Sequence, residues 1–458
     1  MPIATINPAT GELVREFAAH TGDEVEQRLA RAHAAARTCR STSFPDRARW
    51  LRAAADLLEA DQDRLAALLT LEMGKTVRSA RAEVLKCATG CRFYAEHGAS
   101  FLADEPVDAA AVGAARAHVR YEPLGVVLAV MPWNFPLWQV LRFAAPTLMA
   151  GNVGLLKHAS NVPQAALYLE ELFVRAGFPA GAFQTLLVGS AQVADVIRDP
   201  RVAAVTLTGS EAAGRAVAAV AGESLKKTVL ELGGSDPFLV LPSADVERAA
   251  AVATVARCQN NGQSCIAAKR FIVHADVYDD FAARFVASMA ALRVGDPMDA
   301  ATDVGPLATE QGLREIEEQV DDAVARGARV LCGGRRGDGK GWFYLPTVLA
   351  DVTPDMPIFA DEVFGPVAVL YRANSLDAAI ELGNATAFGL GSNAWTNEPD
   401  EQRRCAEELT AGSVFVNGMV TSHPELPFGG IGLSGYGREL SSLGMREFCN
   451  VKTVWVGA

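Results

Sequence analysis

The sequence predicts an α/β protein built on two parallel sheets, and three observations carry that expectation. Between residues 126 and 232, short apolar runs alternate with helical stretches. That βαβα rhythm folds into a parallel sheet with helices on both faces. After Gly233-Gly234 the rhythm restarts at 238–241 and continues to 413–416, so a second α/β domain follows the first. The 458 residues, 50% hydrophobic, are too many for one ordinary core and too apolar for a disordered chain.

Taken in order, Thr21 and Glu24 have the spacing of a capping box, and residues 25–36 continue with Ala, Arg and Leu at helical spacing. Helices dominate the first hundred residues. Near 117–122 the pattern changes to β-branched runs, and strands are expected at 126–131, 153–156, 184–188, 202–207 and 228–232. Helices beginning near Pro136, Val162, Ala191 and Glu211 separate them. A sheet of that kind binds dinucleotides at the carboxyl ends of its strands. Beyond 238–241, a helix from about Ala244 opens the second domain. The tail from Leu433 is rich in Gly and Ser before it ends in VKTVWVG, an apolar strand with little chain left to cover it. Such a strand needs another to pair with, in this chain or in a second subunit.

A formal charge of -12 argues against nucleic acid as a partner. The longest apolar stretches, such as 125–130, are far below the roughly 20 residues of a membrane span, and MPIATINPATGE has no signal-peptide pattern. A soluble, cytoplasmic protein is expected, acting on small molecules and away from membranes. The cysteines (Cys39, Cys87, Cys91, Cys258, Cys265, Cys332, Cys405, Cys449) form no CxxC pair and no Cys/His cluster, so reduced thiols and no metal site are expected.

A GxGxxG match at 430–435 opens no helix of a βαβ unit and has too little chain after it for an acidic ribose contact; it reads as a loop that needs glycine backbone. QNNGQSC is more informative. It places Cys265 among small and amide residues, where a thiol can face a cleft, although a cysteine among eight is more often packing. LELGG puts Glu231 at a strand end beside a Gly pair, as a general base or, more blandly, as a cap or salt-bridge partner. MPWNFP holds Asn134 between two prolines, as an aimed amide donor for an oxyanion or as an ordinary turn residue.

PWNFP at 132–136, LKHAS at 156–160, GSEAAG at 209–214, LELGG at 230–234, NNGQSC at 260–265, EVFGP at 362–366 and PFGG at 427–430 resemble, in order and spacing, the aldehyde dehydrogenase superfamily. The resemblance spans essentially the whole chain. It implies a Rossmann-type dinucleotide-binding domain over 1–105 and 124–233, an α/β catalytic domain over 234–432, and a small β oligomerisation arm from 106–123 and 433–458. A homodimer or homotetramer is implied with it. It also implies that Cys265 attacks the aldehyde, Asn134 and the Cys265 N–H hold the oxyanion, hydride passes to a nicotinamide, and Glu231 activates the water that cleaves the thioester.

For the cofactor, the resemblance places Lys157 and Ser160 near the adenosine ribose, Gly209 and Ser210 at the pyrophosphate, Glu362 on the nicotinamide ribose, and Trp133, Leu232 and Phe364 along the pocket. Ser160 departs from the Glu frequent in NAD-preferring relatives; beside Lys157 it favours NADP, with NAD weaker. His158 replaces a common proline, which suggests a less rigid loop. The length, LKHASNVPQ and WQVLR after PWNFP are most similar to the NADP-preferring succinate-semialdehyde dehydrogenases of bacteria. That similarity implies a substrate carboxylate held by Arg142 and Ser422, with Trp138 and Phe428 lining the tunnel. Arg142 read alone is equally a surface arginine, and Ser422 a loop serine. Cys265 has no cysteine within two residues, so no redox disulfide is expected, Cys258 being seven residues upstream. The alternatives are oxidation of another semialdehyde or an aliphatic aldehyde, a thioesterase-like hydrolase, and a non-catalytic protein on the same fold.

Overall fold

A computed structural model describes residues 2–457. Its six-stranded sheet has the order Gly435–Tyr436, Lys227–Glu231, Val202–Thr208, Val126–Met131, Val153–His158, Phe183–Thr185. All neighbours are parallel except the first pair. The chain leaves Val126–Met131 first for Val153–His158 on one side and later for Val202–Thr208 on the other. The crevice beyond the carboxyl ends of these strands is therefore a topological switch point, where open α/β sheets bind ligands. The central strands are almost wholly buried and mostly apolar, as expected where helices cover both faces of a parallel sheet.

The strand expected at 184–188 is shorter. It ends at Thr185, because the backbone of Leu187 leaves the sheet to bond His20: its carbonyl accepts from the His20 N–H at 2.7 Å, and its N–H donates to His20 Nδ1 at 3.1 Å.

The second sheet has the order Arg329–Cys332, Thr347–Ala350, Val367–Ala373, Arg270–His274, Pro237–Val240, Gly391–Trp395, Ser413–Val416, parallel except at its first pair. Its helix Val246–Cys258 feeds directly into the turn before Cys265. The C-terminal strand Cys449–Val456 finds its partner within the chain, pairing antiparallel with Arg116–Pro123, while Glu105–Val107 lies on the far side of the latter.

Before the helical region, Ile3–Asn7 and Glu12–Phe17 form a hairpin the sequence pattern did not announce. The capping box at Thr21 is present, with Glu24 N–H donating to Thr21 Oγ1 at 3.3 Å and Thr21 N–H to Glu24 Oε2 at 2.7 Å. The long helix Val77–Phe101 packs closely on Trp138–Ala150; a Cβ at Gly90 would sit 3.1 Å from the Trp138 ring. Among the described residues, no helix is long and apolar enough to cross a membrane.

Candidate active site

The PWNFP loop leaves the carboxyl end of Val126–Met131 and is held from three sides. The first N–H groups of the following helix have no helical acceptor. Here those of Leu137 and Trp138 both donate to Glu83 Oε1 at 2.9 Å. Glu83 is ion-paired with Lys75, which is fully buried and lies 4.3 Å from the centre of the Phe135 ring. On the third side, His158 Nδ1 accepts from the Ala159 N–H at 2.9 Å. The Pro136 carbonyl lies 2.9 Å from Nε2 and the Met131 carbonyl 3.2 Å from Nδ1, so both ring nitrogens are anchored. Burial holds His158 down to about 4, so it stays neutral. The buried His158 ring thus braces the loop that carries Asn134.

Asn134 is 3% exposed, and its Nδ2 donates to the Gln263 carbonyl at 3.1 Å. One of the two amide hydrogens is used to aim the group, which leaves the other for a ligand. Asn260 fastens the two segments, its Nδ2 donating to Asn134 O at 2.7 Å and Gln263 O at 3.0 Å. Asn260, Asn261 and Gly262 take φ values of 54°, 58° and 76° in succession. Side-chain bonds offset that left-handed strain: Asn261 donates to Gly74 O and Pro306 O, both at 2.9 Å, and accepts from Gly305 N–H at 2.9 Å. At Gly262 a Cβ would collide with the backbone of Gly365 and Pro366.

This turn delivers Cys265, half-buried at the edge of the first core. Lys269 gathers the carbonyls of Ser264, Cys265 and Ala267 at 3.1, 2.9 and 3.1 Å, which locks the loop below the thiol. Burial pushes the Cys265 thiol up to about 12, with the cations Arg142 and Lys269 pulling the other way. The thiol is neutral at rest. Cys258 points elsewhere, its Sγ 3.6 Å from Met289 Sδ.

Glu231 ends its strand with 2% exposure, and among the described residues neither carboxylate oxygen has a hydrogen-bond partner. Gly429 makes room for it; a Cβ there would sit 2.5 Å from Glu231 Oε1. Burial drives the proton affinity of Glu231 well up, the charge of Glu439 adds to it, and Arg142 and Arg438 oppose it. Arg142, 3% exposed, is ion-paired with Glu439 and lies 4.5 Å from the centre of the Phe428 ring. This excludes a surface arginine. Burial raises the proton affinity of Glu439 as well, but its ion pair with Arg142 opposes that, so Glu231, which lacks such a pair, is the stronger holder of a proton at rest.

Trp138, Arg142, Ser422 and Phe428 converge. Trp138 Nε1–H donates to Ser422 Oγ at 3.0 Å, one helical turn before Arg142. Lys86, from the long helix, joins them, donating to Ser422 Oγ at 2.9 Å.

On the other side of the crevice, Lys157 stands near the carboxyl end of the strand Val153–His158 and Ser160 follows just beyond it. Lys157 is half-buried, and burial alone lowers its proton affinity. Ser210 caps the helix Glu211–Glu223, its hydroxyl accepting from Ala213 N–H at 3.4 Å, and Gly209 N–H donates to Glu231 O at 3.0 Å. Leu232 packs under that helix, where a Cβ on Gly214 would meet it at 2.8 Å. Glu362 accepts from Gly234 N–H at 3.0 Å and faces Lys269 at 3.3 Å. Trp133 and Phe364 stand edge to face, 5.8 Å apart.

Sequence reasoning missed Lys86, Glu439, Lys269 and the Lys75–Glu83 pair. Lys269 sits in CIAAKR four residues after the cysteine, close enough to be noticed; the others carry no local signal.

A model of the aldehyde dehydrogenase family matches residues 1–454. The chain is 65% identical over 456 residues to succinate-semialdehyde dehydrogenase (NADP+) 1 of Mycobacterium tuberculosis, covering 100% of both. It is 64% identical over 456 residues to succinate-semialdehyde dehydrogenase (NADP+) of Mycobacterium leprae, again covering 100% of both. Among solved structures, the succinic semialdehyde dehydrogenase of Streptococcus pyogenes in complex with NADP+ superposes with a TM-score of 0.96 at 38% identity, covering 99% of this chain and 100% of that one.

Proposed function

The chain belongs to the aldehyde dehydrogenase family, and from that premise we propose that it oxidises succinate semialdehyde to succinate with NADP as hydride acceptor. The observation that carries the substrate is the 65% identity, over both full lengths, to a relative named for that reaction. The meeting of Arg142, Trp138 and Ser422 supports it, since a carboxylated aldehyde needs a cation and a hydroxyl at its far end.

The residues of the crevice fit the cofactor. Among the described residues no charged group offsets the half-buried Lys157, which a 2′-phosphate would do, and Ser160 presents a hydroxyl where a carboxylate would repel one. Gly209 and the N-terminus of Glu211–Glu223 suit a pyrophosphate. Bound there, NADP supplies the carbon that accepts hydride.

In this reading the Cys265 thiol gives its proton up to bulk solvent, favoured by the charges of Arg142 and Lys269, and the sulfur bonds to the aldehyde carbon. The free amide hydrogen of Asn134 and the Cys265 N–H hold the resulting oxyanion. The C–H bond breaks as hydride leaves for the nicotinamide, and a thioester remains on Cys265. Glu231, its resting proton first given up to bulk solvent, then takes a proton from the attacking water, hydroxide adds to the thioester carbon, and the C–S bond breaks to release the acid and the Cys265 thiolate. Residues 1–105 and 124–233 form the dinucleotide-binding domain, which also lends Asn134 and Glu231 to the chemistry, 234–432 the catalytic domain that carries Cys265, and 106–123 with 433–458 the oligomerisation arm.

The test is reduced-cofactor absorbance with succinate semialdehyde and NADP or NAD, run beside butanal and the Arg142→Ala protein. The expected result is NADP-linked oxidation of the semialdehyde that Arg142→Ala weakens more than oxidation of butanal. Equal or faster turnover of butanal by the wild type would refute the substrate, and equal efficiency with NAD would refute the cofactor preference.

A further inference from the structure

The charge balance at the substrate end leaves one cation without a counterpart. Arg142 is ion-paired with Glu439, so the pair carries no net charge, although its Nη2 finds no acceptor. A substrate carboxylate entering beside Glu439 would meet a guanidinium already engaged by an anion. Lys86 differs. It is half-buried, its ammonium donates to Ser422 Oγ at 2.9 Å and lies 4.7 Å from the centre of the Trp138 ring, and among the described residues no carboxylate is within ion-pair distance of it. Glu83, one turn earlier on the same helix, is taken by Lys75. Hydroxyl, indole and cations thus meet at one place, with a single positive charge in excess.

Resting on the semialdehyde reading above, we propose that Lys86 is a second substrate-binding cation, which with Ser422 and Arg142 Nη2 takes the far carboxylate of an ω-carboxylated aldehyde. A half-buried ammonium bonded to a neutral hydroxyl has spare donors and a charge that an anion would offset. Arg142 alone cannot supply that charge, because Glu439 already cancels it. The same surroundings set when Lys86 is charged. Burial and the facing Arg142 bring it down to about 8, against the opposing pull of Glu83 and Cys87 on its own helix; Trp138 and Ser422, its other neighbours, are neutral.

The test compares wild type, Lys86→Met and Lys86→Arg on succinate, glutarate and adipate semialdehydes, each with butanal as reference. Lys86→Met should lower the ratio of kcat/KM for the best semialdehyde to that for butanal by about 10-fold or more, chiefly through KM, as expected for loss of a charge-assisted bond. Lys86→Arg should restore part of it. In the wild type the same ratio should fall as pH rises past about 8, because Lys86 then loses its charge while the limbs shared by both substrates cancel. A structural lysine would not move that ratio with pH. If the wild type prefers a semialdehyde and Lys86→Met keeps the preference, the role of Lys86 is overturned and the substrate reading stands. If the wild type prefers butanal, both fall. Should Lys86→Met be too unstable to assay, the wild-type pH profile and Lys86→Arg decide.

Discussion

Around Cys265 the charges are arranged so that protons, more than atoms, are held ready. Arg142 lies between Glu439, which it pairs, and the influence of Glu231 and Cys265, both of which its charge draws toward ionisation. Glu231 works as a base only when deprotonated. Its raised proton affinity therefore places the acid limb of the deacylation rate above the ordinary carboxylate range, with activity lost as pH falls through it. Replacing Glu231 by Gln should leave hydride transfer able to occur once: rapid-mixing absorbance should show a burst near one reduced cofactor per subunit, then steady turnover slower by about 100-fold or more, with the acid limb gone. A slow rate without a burst would place Glu231 before hydride transfer. Cys265, Glu231 and Asn134 could be picked out beforehand because each sits in a motif punctuated by Gly, Pro or amides. Glu439 and Lys86 could not, since what makes them matter is a partner hundreds of residues away.

Elements rather than single side chains decide where those groups stand. In RAEVLKCATG the charged residues Arg81, Glu83 and Lys86 stand on one helix, yet Glu83 is 4% exposed. The reason is the close packing of Val77–Phe101 on Trp138–Ala150, a tertiary fact that helical periodicity does not contain. There Glu83 does two jobs, capping the helix that follows Asn134 and neutralising Lys75. Glu83→Gln should leave Lys75 buried with no counter-charge, a cost of about 3–5 kcal/mol. Thermal unfolding should show a clear drop in Tm, and Lys75→Met added to Glu83→Gln should recover part of it. No recovery in the double variant would mean that the cap, and not the ion pair, carries the effect. The sheet strands were easier to read because they are continuous apolar runs, and the one that came out short, Phe183–Thr185, was cut by a backbone bond to His20.

At the scale of the molecule, the unfinished surface is the small sheet. A three-stranded sheet needs an apolar face against something to be stable, and here Cys449–Val456 is mostly exposed, with Val451 at 61% and Trp455 at 53%. Its inner edge is satisfied by Arg116–Pro123, while its outer edge carries unpaired backbone groups. The terminal apolar run already implied a missing partner; the intrachain strand supplies half of the pairing, and a second copy of the chain is the economical source of the rest. Sedimentation velocity should then find the wild type at a multiple of 48.5 kDa. Val451→Glu combined with Val456→Glu puts like charges on two exposed positions of the strand, so the same measurement should show a shift toward the single chain that grows on dilution. A wild type sedimenting as one chain would sink the assembly role of this sheet, and its exposed valines and tryptophan would then need another cover.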